Sequence, residues 1–327
     1  MARPSPRGVF APSRRQNCHL RYQPCLEYRL GVVNKSFIVA GNPFQVRCPE
    51  WLLSSYAPFE AEHPEPVFSL DVAPEDDIQS LLAPHTLITR CNEEPPYLWL
   101  YANQTLPEVD DVIFGFSLNG EECMSVLELP AGLKGGNCRL RVRRRIVKHE
   151  LECCVNNALM LLYTVYTTRR QTLTIHSSVT VCEGKGYAFL GKSGTGKSTH
   201  SSLWLKYIPD TWLLNDDNPI VRFEDGQAYI YGSPWSGKTP CYKNEKVPLA
   251  GIVRLAQAPH NAISELKGLS AYAAFLPSCS SLKWKRDLED CLCKTVESVV
   301  SNTGVYHLDC LPDEAAARLC HSKIHKA

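Results

Sequence analysis

The sequence predicts an α/β fold with a mixed sheet, preceded by a β-rich N-terminal half. Three observations support this prediction. Short segments of alternating or β-branched residues, separated by turn residues, fill the chain as far as residue 147. A single long segment with helical spacing follows at 150–167. Beyond it, strand-like and helix-like segments alternate, which is typical of an α/β core.

The N-terminal half is predicted to be an antiparallel β domain over residues 25–149. Its strand-like segments are YRLGVV, FIVAG, FQVRC, VFSLDV, LWLYA, VIFGFSL and CRLRVRR. Turn signals such as Gly41-Asn42-Pro43 and Asn119-Gly120 separate them. Residues 1–24 are basic and Pro-rich and lack the apolar core of a secretory signal, so we expect them to form a disordered extension.

The second domain is predicted over residues 150–322. It begins with the helix ELECCVNNALMLLYTVYT, whose apolar stripe should pack on a sheet. The predicted strands are TLTIHSSVTVC (one strand or a pair), KGYAFL, TWLLN, GIVRLAQA and GVYHLDC, with a hairpin in IVRFEDGQAYIYG. Helices are predicted for the segment after the Gly-rich loop, for 282–301 and for PDEAAARLCHSKI.

Composition excludes several classes of protein. The net charge of +1 provides no electrostatic basis for binding nucleic acid or an anionic membrane. No run of 18 apolar residues exists, so no transmembrane helix is expected. The 15 cysteines, without a signal peptide, predict reduced thiols in a cytoplasmic protein. Their spacing does not match that of a zinc site.

The segment GKSGTGKST has the spacing of a nucleotide phosphate-binding loop, with an apolar strand before it and a helical segment after it. Glycines let backbone N–H groups surround an anion at the start of a helix. Lys197 would reach the β- and γ-phosphates, and Ser198 would bind Mg²⁺. The alternative is a Gly-rich turn without a ligand. The predicted nucleotide-binding residues are Gly191, Lys192, Ser193, Gly194, Thr195, Gly196, Lys197, Ser198 and Thr199.

Two adjacent carboxylates follow the apolar strand TWLL, at Asp216 and Asp217. Because the carboxyl ends of strands in an α/β sheet meet at one edge, we expect this pair to face the phosphates. One carboxylate can serve Mg²⁺ and the other can take a proton from a hydroxyl. The alternative is a solvated turn. The later loop GSPWSGK is either a second phosphate or substrate contact or an ordinary turn.

These residues resemble a known family. The set IHSS, GKSGTGKST, LLNDD and GSPWSGK resembles the HPr kinase/phosphorylase superfamily, which shares its core with ATP-dependent phosphoenolpyruvate carboxykinase. In that superfamily a histidine precedes the phosphate-binding loop, and the helix after the loop leads to a strand that ends in an acidic pair. The resemblance covers Thr172 to Ala258 well.

The resemblance implies a kinase that uses ATP and Mg²⁺. Lys197 would bind phosphate, Ser198 and Asp216 would hold the metal, Asp217 would accept the proton of the substrate hydroxyl, and His176 would belong to the same site. Which aspartate is the base and which serves the metal is left open. Thr199 stands where HPr kinases have a glutamate. The carboxykinases have a threonine at this position.

The acceptor is expected to be a hydroxyl-bearing protein, peptide or small metabolite, and assembly as a homo-oligomer is left open. Two alternatives remain: a non-catalytic ATP-binding regulatory module, and an enzyme of carboxykinase type.

Overall fold

The computed structural model describes residues 31–62, 64–92, 95–103, 112–237, 239–280 and 285–325. The extension expected at 1–24 lies outside these ranges, and so does Lys238 of the GSPWSGK loop. The described ranges form a mixed α/β structure built on two sheets.

Within the described residues, the N-terminal half forms one sheet of eight strands. These are β1 (Val32–Val39), β2 (Asn42–Pro49), β3 (Phe68–Glu75), β4 (His85–Arg90), β5 (Tyr97–Asn103), β6 (Val112–Ser117), β7 (Ser125–Glu128) and β8 (Asn137–Arg143). Their order across the sheet is β1-β2-β3-β8-β7-β6-β5-β4. The pairs β2–β3 and β3–β8 are parallel, so the prediction of an antiparallel half is wrong at these two pairings.

Crossover connections explain the parallel pairs, because parallel neighbours cannot be joined by a tight hairpin. Between β2 and β3 the chain forms a 3₁₀ helix, Glu50–Phe59, which buries Leu52, Leu53, Tyr56 and Phe59. Between β3 and β8 lie a short helix α1 (Ile78–Leu82) and the strands β4 to β7. Sequence patterns missed the 3₁₀ helix, α1, β4 and β7, each of which is short or lacks a clear apolar period.

Helix α2 (Lys148–Thr167) starts two residues before the predicted helix and packs its apolar stripe on the first sheet. Leu151, Val155, Leu159 and Leu162 of this stripe share one apolar cluster with Phe44 of β2. The core of the first sheet therefore extends beyond residue 150, the position at which the sequence placed the start of the second domain.

The second sheet contains nine strands within the described residues. They are β9 (Thr172–Thr174), β10 (Ser177–Cys182), β11 (Lys185–Leu190), β12 (Thr211–Asp217), β13 (Ile220–Glu224), β14 (Gln227–Tyr231), β15 (Lys246–Gln257), β16 (Ala262–Leu266) and β17 (Gly304–Cys310). The main order is β12-β10-β11-β15-β14-β13-β9, and β17 pairs with both β15 and β16. The predicted strands KGYAFL and GVYHLDC and the hairpin at Asp225-Gly226 are confirmed.

Four helices complete this half within the described residues: α3 (Lys197–Tyr207), α4 (Leu269–Phe275), α5 (Arg286–Asn302) and α6 (Glu314–Ile324). Helices α3 and α6 share one apolar cluster with one face of the sheet, and α4 and α5 share another with the opposite face. The result is a three-layer arrangement. The predicted last helix is confirmed, with Asp313 as its N-cap. Among the described residues, no helix has the length and apolarity needed to cross a membrane.

One side chain of the second half is buried in the core of the first. Trp235, in the loop after β14, packs edge-on against the rings of Tyr56 and Tyr163. Its Nε1–H donates a hydrogen bond to the Tyr56 hydroxyl at 2.9 Å, and that hydroxyl donates to Asn156 Oδ1 at 2.9 Å. Because this residue sits in the apolar cluster of the first sheet, the two sheets share a core at this point.

The substitution Trp235→Ala should lower the free energy of unfolding by about 3–5 kcal/mol, because it leaves a cavity where the two sheets meet. Trp235→Phe should cost less, since it retains much of the ring packing and loses the Nε1–H donor. Urea denaturation of each variant measures the difference. Trp51, which is more than a third exposed, provides the control, and Trp51→Ala should change stability by about 0.5 kcal/mol or less. Equal losses at Trp51 and Trp235 would contradict this assignment.

Candidate active site

The segment 191–196 forms a tight turn between β11 and α3. Gly191, Gly194 and Gly196 have positive φ angles of 155°, 79° and 101°. A Cβ atom on Gly191 would lie 2.4 Å from Thr195 Oγ1, so a larger residue at this position would displace the Thr195 side chain. Because α3 starts at Lys197, the turn lies at the positive end of the helix, a position suited to an anion.

The predicted nucleotide-binding residues all lie on this turn or on the first turn of α3. The side chains of Lys192, Ser193, Ser198 and Thr199 are exposed to solvent. Lys197 is half-buried, and its Nζ donates a hydrogen bond to Gly191 O at 2.9 Å. The lysine side chain therefore contacts the backbone of the turn that precedes it in the sequence.

Lys197, His176 and Asp217 lie in a continuous chain of close polar contacts. Lys197 Nζ lies 3.0 Å from His176 Nε2, and His176 Nδ1 lies 3.0 Å from Asp217 Oδ1. A protonated lysine can only donate, so a neutral imidazole would accept at Nε2 and donate its Nδ1–H to the carboxylate. Burial lowers the pKa of Lys197, while the charges of Asp217 and Asp216 oppose this shift. The three residues chosen from the sequence as catalytic candidates therefore meet directly.

The two aspartates are the last residues of β12, and their environments differ. Asp216 is 9% exposed, and its Oδ1 is buried without a hydrogen-bond partner among the described residues. The Asp217 side chain is 33% exposed and faces His176, whose side chain is 46% exposed. One carboxylate is therefore secluded and the other is accessible from solvent.

Strand order brings these residues together. Strand β10 is antiparallel to both β11 and β12, so β11 and β12 run in the same direction and end at the same edge. The Gly-rich turn follows β11, and the acidic pair ends β12. His176 lies between β9 and β10, and its backbone N–H donates to Ser278 O at 2.7 Å.

The loop GSPWSGK packs against the acidic pair as far as the structure describes it. Ser236 pairs with Asp217 through an isolated antiparallel bridge. The backbone N–H of Gly237 donates to Asp216 O at 3.2 Å, and a Cβ on Gly237 would lie 3.3 Å from the Cβ of Asp217. The sequence did not distinguish whether this loop contacts a ligand or forms an ordinary turn. In the structure it forms one wall beside Asp217.

A cavity of about 560 Å³ lies on the other side of the Gly-rich turn. Residues of the turn and of α3 line it together with residues at and just after the ends of β15 and β17, including the terminal residues Gln257 and Cys310. Gln257 Nε2 donates to Gly194 O at 3.2 Å, which ties β15 to the turn. Sequence reasoning missed this cavity, because its walls come from three segments that are about 50 residues apart along the chain.

His200 lines the same cavity and is almost completely buried. Its Nε2 accepts a hydrogen bond from Trp204 Nε1 at 3.2 Å, and its ring packs edge-on against Phe189. Burial lowers the pKa of His200 to about 4. The side chain is therefore neutral near pH 7.

A group of three or more His, Cys, Asp or Glu side chains that could hold a metal ion does not occur among the described residues. Asp216 and Ser198, chosen from the sequence as metal ligands, lie at the same edge of the sheet as the Gly-rich turn, Asp216 at the end of β12 and Ser198 in the first turn of α3.

No family model and no curated protein matches this chain. A solved structure similar to it is that of the HPr(Ser) kinase/phosphatase from Coxiella burnetii, at 12% sequence identity. The match covers 47% of this chain and 94% of that chain, with a TM-score of 0.28. A TM-score this low carries no argument about function.

The buried His200 should make stability depend on pH. Between pH 6.5 and about 4 the unfolded chain binds a proton at this residue and the folded chain does not, so the free energy of unfolding should fall by about 3 kcal/mol as pH is lowered. Urea denaturation across this range, compared with the His200→Asn variant, isolates this contribution. Titration of His200 followed by NMR checks the pKa directly, and a midpoint near 6.5 would contradict the assignment.

Proposed function

We propose that the protein is an ATP-dependent kinase that transfers the γ-phosphoryl group to a hydroxyl acceptor. The observation that carries this proposal is the chain Lys197–His176–Asp217 beside the Gly-rich turn. It joins a cation suited to phosphate with a carboxylate suited to removing a proton. A module that only binds nucleotide has no need of such a carboxylate.

In this proposal the triphosphate lies on residues 191–199. Backbone N–H groups of the turn and the N-terminal end of α3 would bind the phosphate oxygens. The ammonium group of Lys197 has three donors: two make hydrogen bonds of 3.0 Å or less, and the third makes only a long contact of 3.5 Å to Lys192 O, which a phosphate oxygen would replace. The partial burial that lowers the pKa of Lys197 also strengthens its attraction to an anion.

The nucleoside would occupy the cavity bounded by the turn, α3 and the ends of β15 and β17. Its volume of about 560 Å³ lies within the usual range for small-molecule sites. Strands β15 and β17 lie on one side of β11, and β12 lies on the other side. The nucleoside and Asp217 would therefore be at opposite ends of the triphosphate. The γ-phosphate would then point toward Asp217.

Asp217 would act as the base. Its carboxylate takes the proton of the acceptor hydroxyl, the hydroxyl oxygen bonds to the γ-phosphorus, and the bond from that phosphorus to ADP breaks with its electron pair leaving on ADP. His176 Nδ1 lies 3.0 Å from Oδ1 of Asp217, which would leave Oδ2 for the acceptor. His176 thereby orients the base.

The residues beside the turn also fit Mg²⁺. A buried carboxylate oxygen without a hydrogen-bond donor, as at Asp216 Oδ1, is costly unless a cation balances it. Proteins usually hold Mg²⁺ through one or two carboxylates together with phosphate oxygens and waters, so the absence of a larger ligand group among the described residues is compatible with this ion. Asp216 and Ser198 would hold the ion, which neutralises charge on the phosphoryl oxygens when bound.

Asp217→Asn should lower the rate of phosphoryl transfer by about 10²–10⁴-fold and leave ATP binding nearly unchanged, because only the base is lost. Lys197→Ala should weaken both ATP binding and transfer. The assay is γ-labelled ATP incubated with the protein and with protein, peptide and metabolite fractions of a cell extract, followed by identification of the labelled species. Asp225→Asn, in the hairpin turn after β13, is the matched control and should behave like the unmodified chain.

Three outcomes separate the alternatives. Full transfer by Asp217→Asn would eliminate this residue as the base. ATP binding without transfer to any fraction would support a non-catalytic regulatory module. ATP-dependent decarboxylation of oxaloacetate would support an enzyme of carboxykinase type.

The position of the nucleoside can be tested by filling the cavity. Ala258 lines it, so Ala258→Trp should weaken ATP binding about 10-fold or more by occupying the space of the base. Ala262→Trp places the same ring at an exposed site on β16 and should leave ATP binding unchanged. Isothermal titration with ATP measures both affinities. Equal affinities in the two variants would place the nucleoside elsewhere.

A further inference from the structure

The buried amide of Asn215, next to the acidic pair, has no role in the site described so far. Asn215 is 0% exposed, and burying an amide is costly unless its donors and acceptor are paired. Its Oδ1 accepts a hydrogen bond from the backbone N–H of Asp217 at 3.0 Å. Its Nδ2 donates to Ser233 Oγ at 3.2 Å and to Trp235 O at 3.3 Å. One side chain therefore joins the backbone of Asp217 to the loop that follows β14.

That loop is itself tightly held. Ser233 Oγ donates to Asn218 O at 2.6 Å, and the backbone N–H of Asn218 donates to Trp235 O at 3.3 Å. The ring of Trp235 is buried between Tyr56 and Tyr163 of the first half. Asn215 thus connects the acidic pair to a loop whose position the core of the first sheet determines.

Strand β12 pairs both aspartates with β10, but its ladder is irregular just before them. The register between β10 and β12 shifts so that Val179 faces Asn215 while Thr180 faces Leu213. This irregularity lies immediately before the pair, and a bulge locally disrupts pairing and re-aims the side chains that follow it. The Asn215 amide lies at this point and restrains the strand from its other side.

We infer that Asn215 is a positioning residue that sets the orientation of Asp217 toward His176 and the phosphates. The inference rests on the proposed kinase function for its catalytic consequence only. Its structural content, that Asn215 controls the contact between His176 Nδ1 and Asp217 Oδ1, holds independently of any reaction.

The kinetic test uses the full chain. Asn215→Ala should lower kcat about 10- to 100-fold and leave ATP affinity unchanged, since misplacing a reacting group by about 1 Å costs a factor of that order. In the Asp217→Asn background, Asn215→Ala should cause no further loss, because it acts through Asp217. Full kcat in the single variant, or an equal loss in both backgrounds, would overturn the inference.

The control removes a comparable buried amide elsewhere. Asn42 is also 0% exposed, and its Nδ2 donates to Ala40 O and to Tyr163 Oη. Asn42→Ala should lower stability and leave kcat unchanged. If Asn215→Ala fails to fold, Ser233→Ala removes the hydroxyl that accepts from Asn215 and should lower kcat in the same direction by a smaller factor. No change in kcat for Ser233→Ala would count against the inference.

A second measurement is independent of activity. Side-chain ¹⁵N NMR of His176 reports which nitrogen carries the proton and what that proton contacts. Asn215→Ala should change the Nδ1 resonance in the same direction as Asp217→Asn, whereas Asn42→Ala should not change it. If the unmodified chain transfers no phosphate, the kinase proposal fails and this measurement still decides the inference. An unchanged His176 resonance in Asn215→Ala would overturn it.

Discussion

The candidate site depends on the antiparallel placement of β10 between β11 and β12. Because β10 reverses direction relative to both neighbours, the other two strands end at the same edge. The Gly-rich turn and the acidic pair then face each other although about 20 residues of chain separate them. Strands β15 and β17 run parallel to β11 on its other side, so the cavity forms at that same edge.

The first sheet contributes to this site through packing. Trp235 leaves the loop beside the acidic pair and enters the core formed by Tyr56, Tyr163 and the first sheet. A loop alone would be mobile, since its backbone groups pair with few partners. Burial of the Trp235 ring at the centre of the loop holds the loop in place. The side chain of Asn215 links this loop to the backbone of Asp217 through hydrogen bonds. The N-terminal half is thus part of the support of the site.

The two carboxylates of the acidic pair lie in different environments. Asp216 and Asp217 are adjacent in sequence, but alternation along β12 directs their side chains to opposite faces. Within the described residues, the first has a buried oxygen without a hydrogen-bond partner, and the second lies 3.0 Å from His176 and remains accessible. Lys197 lies within the field of both carboxylates, which opposes the lowering of its pKa by burial. Two identical residue types thereby acquire different chemical properties.

Much of the second half could be predicted from sequence because its signals are local. The apolar strand KGYAFL, the helix that begins at Lys197, the hairpin at Asp225-Gly226 and the N-cap at Asp313 follow from periodicity, turn chemistry and capping, which act over a few residues. Motif spacing indicated Lys197 and the acidic pair, and the family resemblance added His176; the structure places Lys197, His176 and Asp217 in one chain of close polar contacts.

The positions of the elements of the second half therefore follow from local sequence patterns, which also indicate the Gly-rich turn and the acidic pair as a candidate site. Their arrangement depends on contacts that form only in the folded protein: the two parallel pairings of β3, the burial of α2 on the first sheet, the cavity closed by the ends of β15 and β17, and the hydrogen bonds of Asn215 to the loop of Trp235. These contacts join segments 18 to about 180 residues apart. Such contacts depend on strand order and packing, for which local patterns in one sequence carry no signal.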